Sequence, residues 1–165
     1  MTLQEFEGSI GTTDRDVAEL WAPVLGTDAD TLESHARSAF LDRLDQIEVF
    51  PDALELRGRI DGPVAVGTNS ARWRLDAILA GTRLSHRFPI TVTASDVDHP
   101  KPAPDIYAAA FAAMGVPAAH GLVIEDSPSG ISSARAAGAR VVAVDRGHLP
   151  VTALAGADLV VGSLV

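Results

Sequence analysis

Leu122-Val123-Ile124-Glu125-Asp126-Ser127-Pro128-Ser129-Gly130 joins an uncharged apolar run, two adjacent carboxylates and the start of a small-residue helical stretch. The run is too short for a helix and is apolar throughout, as befits a strand covered on both faces. The same strand, loop and helix texture recurs on either side of it. Pro63 to Gly67 is a buried strand. Ile90 to Ala94 precedes a helix from Pro104 to Met114, Leu122 to Glu125 precedes one from Ser129 to Ala137, and Val141 to Val144 follows. A last short strand is expected over Asp158 to Val161. Such alternation predicts an α/β fold: a Rossmann-like parallel sheet with helices on both faces.

Upstream the texture is helical. Val17, Leu20, Trp21 and Val24 recur at helical spacing between Asp14 and Leu25, Thr13 is placed as N-cap with Asp16 three residues on, and Gly26 ends the helix. A second helix is expected from about Asp30 to Gln46, with Leu32, Ala36, Leu41 and Leu44 on one face. After Pro51 a short helix near Ala53 to Arg59 leads into the first strand. No linker or repeat separates these parts. Residues 1–50 are therefore expected to form a partial helical cap and residues 51–165 the α/β core.

The 165 residues carry 22 acidic and 13 basic side chains, a formal net charge of −9, which disfavours binding to a nucleic-acid backbone. No stretch approaches the roughly 18 consecutive apolar residues of a membrane span. There is no cysteine, so disulfides and thiolate chemistry are excluded, and the N-terminus lacks a secretion-signal profile. A cytoplasmic location is the expectation.

Ligands of open α/β sheets bind beyond the carboxyl ends of the strands, so the residues after each strand are the informative ones. Thr68-Asn69-Ser70 brings hydroxyl, amide and backbone N–H groups together before a helix, which suits a phosphate or, alternatively, helix capping. Lys101 stands between prolines in His99-Pro100-Lys101-Pro102-Ala103-Pro104-Asp105, placed either to neutralise an anion or as a solvated loop residue. Glu125 and Asp126 end an apolar strand, where Mg²⁺ would be a natural partner; the alternative is a solvated loop with Ser129 capping the helix.

Thr68 after its strand, Lys101 in KPAPD, and EDSPSG followed by ISSARAAGA resemble, in order and spacing, motifs two, three and four of the haloacid dehalogenase-like (HAD) hydrolases. The helical insert is similar to the small cap of the phosphoglucomutase and phosphoglycolate-phosphatase branch. By that resemblance Thr68, Lys101 and Asp126 are the catalytic residues, and Thr68, Asn69 and Lys101 bind phosphate. Glu125 and Asp126 would hold Mg²⁺. The segment Gly8-Ser9-Ile10-Gly11-Thr12-Thr13, and Gly11, Thr12 and Thr13 within it, would read the substrate, a small phosphorylated metabolite.

The first motif of that family, DxDG[TS] after an apolar strand, has no counterpart in these 165 residues. Asp14-Arg15-Asp16 and Asp28-Ala29-Asp30 sit where helices begin. Asp96-Val97-Asp98 is followed by His99-Pro100 rather than by glycine and a hydroxyl residue. In the family the missing strand lies centrally, between the strands ending at Thr68 and at Glu125, so two buried edges would lose their partner. The sheet would close by rearrangement, another chain would supply a strand, or the sequence begins at an internal methionine. The last is the expectation, and with it a chain inactive or impaired by itself. A noncatalytic phosphate-binding or protein-interaction module derived from this fold is the alternative.

Overall fold

A computed structural model describes residues 11–165. Gly8, Ser9 and Ile10 of the expected substrate-reading segment lie outside the described residues. Helix α1 (Asp14–Leu25) begins with the expected capping box: the Thr13 hydroxyl accepts from Asp16 N, and Asp16 closes back on Thr13. It ends at Gly26, whose φ of 69° gives the left-handed turn that glycine adopts without strain.

Helix α2 (Ala29–Leu41) packs on α1 and stops five residues short of the expected Gln46, where the chain tightens into a 3₁₀ turn over Leu44–Gln46. The buried positions of α1 are Ala18 and Ala22, one helical turn apart, whereas Leu20 and Val24 of the expected apolar face are exposed.

Helix α3 (Pro51–Arg59), with proline at its first turn, leads into strand β1 (Ala65–Thr68), helix α4 (Arg72–Gly81) and strand β2 (Ile90–Thr93). Helix α5 (Asp105–Met114), strand β3 (Leu122–Glu125), helix α6 (Pro128–Ala136), strand β4 (Arg140–Val144) and strand β5 (Leu159–Val161) complete the order. All pairings are parallel, as expected of βαβ units. No helix among the described residues is long and apolar enough to cross a membrane.

Among the described residues the strands form two sheets, β1–β2 and β3–β4–β5. Helix α5 spans the break. Its Ile106 and Ala110 cluster with Val92 of β2, while Tyr107 and Phe111 join the larger core around Val123, Ile131, Val141, Ala143 and Leu154. Gly67 lets β1 lie directly on α5, because a Cβ there would stand 2.9 Å from Ile106 Cγ2. Strand β3 was expected to be covered on both faces; Val123 and Glu125 are buried, whereas Leu122 and Ile124 remain 54% and 38% exposed. Alternate residues of a strand point to opposite faces, so one face of β3 is open.

Candidate functional site

A cleft of about 580 Å³ runs along the break between the sheets. It is lined by Val66, Gly67 and Thr68 from β1, Ile124 and Glu125 from β3, and Asn69, Lys101, Asp126, Gly11 and Thr12 from the loops above them. The residues singled out after the strands therefore meet in one place, and Gly11 and Thr12 of the expected substrate-reading segment border it. Thr13, the third residue of that segment, caps α1.

Glu125 sits at the centre of this arrangement, buried, with both carboxylate oxygens engaged. Oε1 pairs with Lys101 Nζ and accepts from the Tyr107 hydroxyl in two short contacts. Oε2 accepts from Asp126 N at 3.1 Å, Ser127 N at 3.3 Å and Ser127 Oγ at 3.0 Å. Burial alone would raise its pKa; the Lys101 charge, with hydrogen bonds from Lys101, Tyr107 and Ser127, outweighs that and holds it below the usual carboxylate range. The same burial and the Glu125 charge push the Tyr107 hydroxyl upward, so it stays protonated and donates. Expected as a metal ligand beside Asp126, Glu125 here has all its partners inside the protein.

Asp126 faces the cleft. Its pKa is raised, first by burial among the surrounding walls and then by the neighbouring Glu125 charge. A cation brought to this carboxylate would relieve both effects, and Mg²⁺, which keeps several waters and uses one or two carboxylates, suits a site built on one protein oxygen donor plus substrate. Among the described residues no cluster of three or more potential metal-ligating side chains is found.

Lys101 is 9% exposed. Its Nζ also donates to Gly67 O at 2.9 Å and to the Tyr107 hydroxyl at 2.8 Å, which rules out the solvated-loop reading. The loop that presents it is tied down by Asn69. Lys101 N donates to Asn69 Oδ1 at 2.8 Å, and Asn69 Nδ2 donates to Lys101 O at 2.9 Å and to Gly11 O at 2.8 Å. Asn69, expected to contact phosphate, thus uses its amide to join three backbone segments.

The capping alternatives resolve as well. The N-cap of α4 is Ala71, with no side-chain bond, and Thr68 Oγ1 instead accepts from Ser70 N at 3.0 Å. Ser127, not Ser129, caps α6, through a 3.1 Å bond from Gly130 N; Ser129 donates to Gly11 O at 2.8 Å. Gly130 is the residue that makes room for Glu125, since a Cβ on it would stand 1.9 Å from the Glu125 carboxyl carbon.

Two participants escaped the sequence reading. Tyr107 carries no motif signal beyond its helix, whereas Gly130 closes the EDSPSG motif. Arg146, which follows β4, lines the cleft with its guanidinium 4.1 Å above the Phe50 ring and paired to Asp52 at 2.9 and 3.0 Å. Its position after the strand Val141 to Val144 was the signal available.

The chain is 39% identical over 108 residues to the fructose-1-phosphate phosphatase YqaB of Escherichia coli (strain K12), covering 66% of this chain and 56% of that protein. It is 38% identical over 103 residues to the protein CbbY of Rhodobacter capsulatus, covering 59% and 45%. The chain thus spans about half the length of these curated relatives. Among solved structures, CbbY from Rhodobacter sphaeroides in complex with phosphate shares the fold, with a TM-score of 0.82 at 22% identity over 98% of this chain and 78% of that one. The sequence profile of the haloacid dehalogenase-like hydrolases matches residues 1–144, and the chain belongs to that family.

Proposed function

We propose that this chain forms the phosphate- and Mg²⁺-binding part of a phosphatase or phosphomutase acting on a small phosphorylated metabolite, with an aspartyl-phosphate formed in the complete enzyme. The observation that carries this reading is the convergence on one cleft of Thr68 and Asp126 from the ends of β1 and β3 and of Lys101 from the loop after β2. The relatives support the substrate class: one is a fructose-1-phosphate phosphatase, and another, 37% identical over 87 residues, is a phosphoserine phosphatase from Thermus thermophilus.

In this reading Thr68, whose hydroxyl oxygen already accepts from Ser70 N, donates its own proton to a phosphate oxygen. Lys101, held rigid by Gly67, Tyr107 and Glu125, offsets charge on the phosphoryl group. Asp126 holds Mg²⁺, which supplies further charge neutralisation when bound. Gly11 and Thr12 at the rim contact the rest of the substrate. The 165 residues carry no DxDG[TS] nucleophile, so by themselves they bind phosphate without turning over an ester.

Calorimetric titration of inorganic phosphate with and without Mg²⁺, beside an aryl phosphate assay, tests this on the purified chain and on Asp126→Asn. Mg²⁺-dependent phosphate binding that disappears in Asp126→Asn, with no hydrolysis in either, is the expected result. Hydrolysis by the parent that Asp126→Asn abolishes would mean another carboxylate serves as nucleophile. No phosphate binding at all would sink the reading and leave a protein-interaction module.

A further inference from the structure

We propose that Asp14 and Arg74 are positioning residues: their ion pair, made outside the cleft, sets where the rim segment Gly11-Thr12-Thr13 stands relative to Thr68-Asn69-Ser70, and through it which phosphate esters the cleft admits. This rests on the phosphate-binding reading of the cleft. Asp14 opens α1 directly after the rim segment. Both of its carboxylate oxygens reach helix α4. Oδ2 accepts from Ala71 N, 57 residues along the chain, at 3.2 Å, and Oδ1 pairs with Arg74 Nη2 at 3.0 Å. Ala71 is the N-cap of α4, and no side chain of its own turn caps that helix. The first N–H groups of a helix lack partners within it, and a negative charge is favoured there. Asp14 meets both needs from outside the helix.

Arg74 reaches both α1 and α2. It meets α1 through Asp14, and its guanidinium lies 4.6 Å from the centre of the Phe40 ring of α2 and 5.3 Å from that of its neighbour Trp73. Phe40 and Trp73 meet edge to face with centres 5.7 Å apart, and Arg37 of α2 covers Trp73 at 4.8 Å. A planar guanidinium stacks and pairs in one geometry, which an ammonium does not. Among the described residues Arg74 Nε is buried without a hydrogen-bond partner. Stacking and the Asp14 pair therefore fix this side chain where hydrogen bonding is incomplete.

The rim segment is held at its other end too. Gly11 O accepts from Asn69 Nδ2 and from Ser129 Oγ, each at 2.8 Å. Gly11 and Asp14 are thus both fixed to groups of the α/β part, with Thr12, which lines the cleft, between them. Neither Asp14 nor Arg74 is among the described residues that line the cleft, so the pair acts on a ligand only through the segment it holds. A segment fixed at both ends keeps one conformation and excludes leaving groups that clash with it. Thr68, Lys101 and Asp126 suffice for inorganic phosphate, whereas an ester also meets Gly11 and Thr12. Loosening the pair should change the choice among esters and spare inorganic phosphate.

The test compares the purified 165-residue chain with Asp14→Asn and Arg74→Lys. Asp14→Asn retains an oxygen for Ala71 N without the charge that pairs with Arg74. Arg74→Lys retains the charge without the planar group that stacks on Phe40. Calorimetric titration in Mg²⁺ would measure inorganic phosphate, glycerol 1-phosphate and phenyl phosphate, which differ in what the phosphate carries. The parent is expected to separate the two esters by at least about fivefold in affinity, and each variant to reduce that ratio at least about threefold while inorganic phosphate changes less than about twofold. Amide hydrogen exchange at Thr12, Thr13 and Ala71 should speed up in both variants.

An unchanged ester ratio in variants that remain folded by circular dichroism, or loss of the folded state in both, would make the pair structural only and overturn the proposal. Equal weakening of inorganic phosphate and both esters would overturn it as well, by placing the effect on the phosphate loop. A parent that binds inorganic phosphate without separating the esters overturns the proposal and leaves the phosphate reading standing. A parent that binds no phosphate overturns both.

Discussion

Lys101 Nζ and the Glu125 carboxylate form an ion pair, each side chain 6% exposed, that links the end of β3 to the loop beside β1. Leaving one member of such a pair buried without the other costs about 3–5 kcal/mol, because the remaining charge has lost its partner but not its burial. Lys101→Met is expected to fall in that range in urea unfolding. The double variant Lys101→Met with Glu125→Gln should recover part of the loss. Equal stability of the single and double variants would show that Glu125 does not depend on Lys101.

Gly130 tests the same carboxylate from the other side. In an ordinary helix Gly→Ala gains about 1 kcal/mol. Here the added methyl would fall on the Glu125 carboxyl group, at 1.9 Å from its carbon. Gly130→Ala is expected to lose about 1–3 kcal/mol, the usual range for overpacking, and to weaken phosphate binding together with stability. A gain in the unfolding midpoint would contradict the packing described.

Asn69 joins Gly11, Lys101 and the end of β1 through three hydrogen bonds of 2.8 to 2.9 Å. Asn69→Ala leaves the Lys101 amide N–H and carbonyl unpaired in a buried position, at a cost of about 1–3 kcal/mol for each group that water does not reach. Phosphate affinity should fall as well, since the loop carrying Lys101 loses its tether. Asn69→Asp retains the acceptor for Lys101 N but sets a carboxylate oxygen against the Gly11 and Lys101 carbonyls, so it should not rescue the loss.

Asp52 and Arg146 give a pH signature away from Glu125. Arg146 hydrogen bonds, then the bond from Leu164 N, hold the Asp52 pKa at about 2, below its ordinary 3.8. A carboxylate with a lowered folded pKa contributes stability that is complete above its unfolded pKa and is lost as pH falls through the folded value. The stability gap between the parent and Arg146→Gln should therefore be widest near neutrality and narrow between pH 3.8 and about 2. A gap independent of pH would show that Arg146 acts through its stacking on Phe50 alone.

Local features were legible in the sequence because they depend on neighbours a few residues apart. The Thr13 and Asp16 capping box, the Gly26 terminus and the five short apolar strands were all readable from spacing. So was the convergence of the Thr68, Lys101 and Glu125-Asp126 loops, since residues that follow parallel strands share one edge of the fold. The exposed Leu20 and Val24 were misjudged because periodicity identifies an apolar face but not whether anything covers it.

What only the tertiary structure decided rests on residues far apart in the chain. It divided two adjacent carboxylates into a buried Glu125, enclosed by Lys101, Tyr107 and Ser127, and an Asp126 turned to the cleft. Nothing in Glu125-Asp126 as a dipeptide distinguishes them, because that division depends on a lysine 24 residues away and a tyrosine 18 residues away. The separation of β1 from β3 among the described residues was anticipated from the family resemblance and not from either strand itself. Each strand's own sequence specifies that it is extended and apolar, while the neighbour on its open edge is a property of the whole sheet.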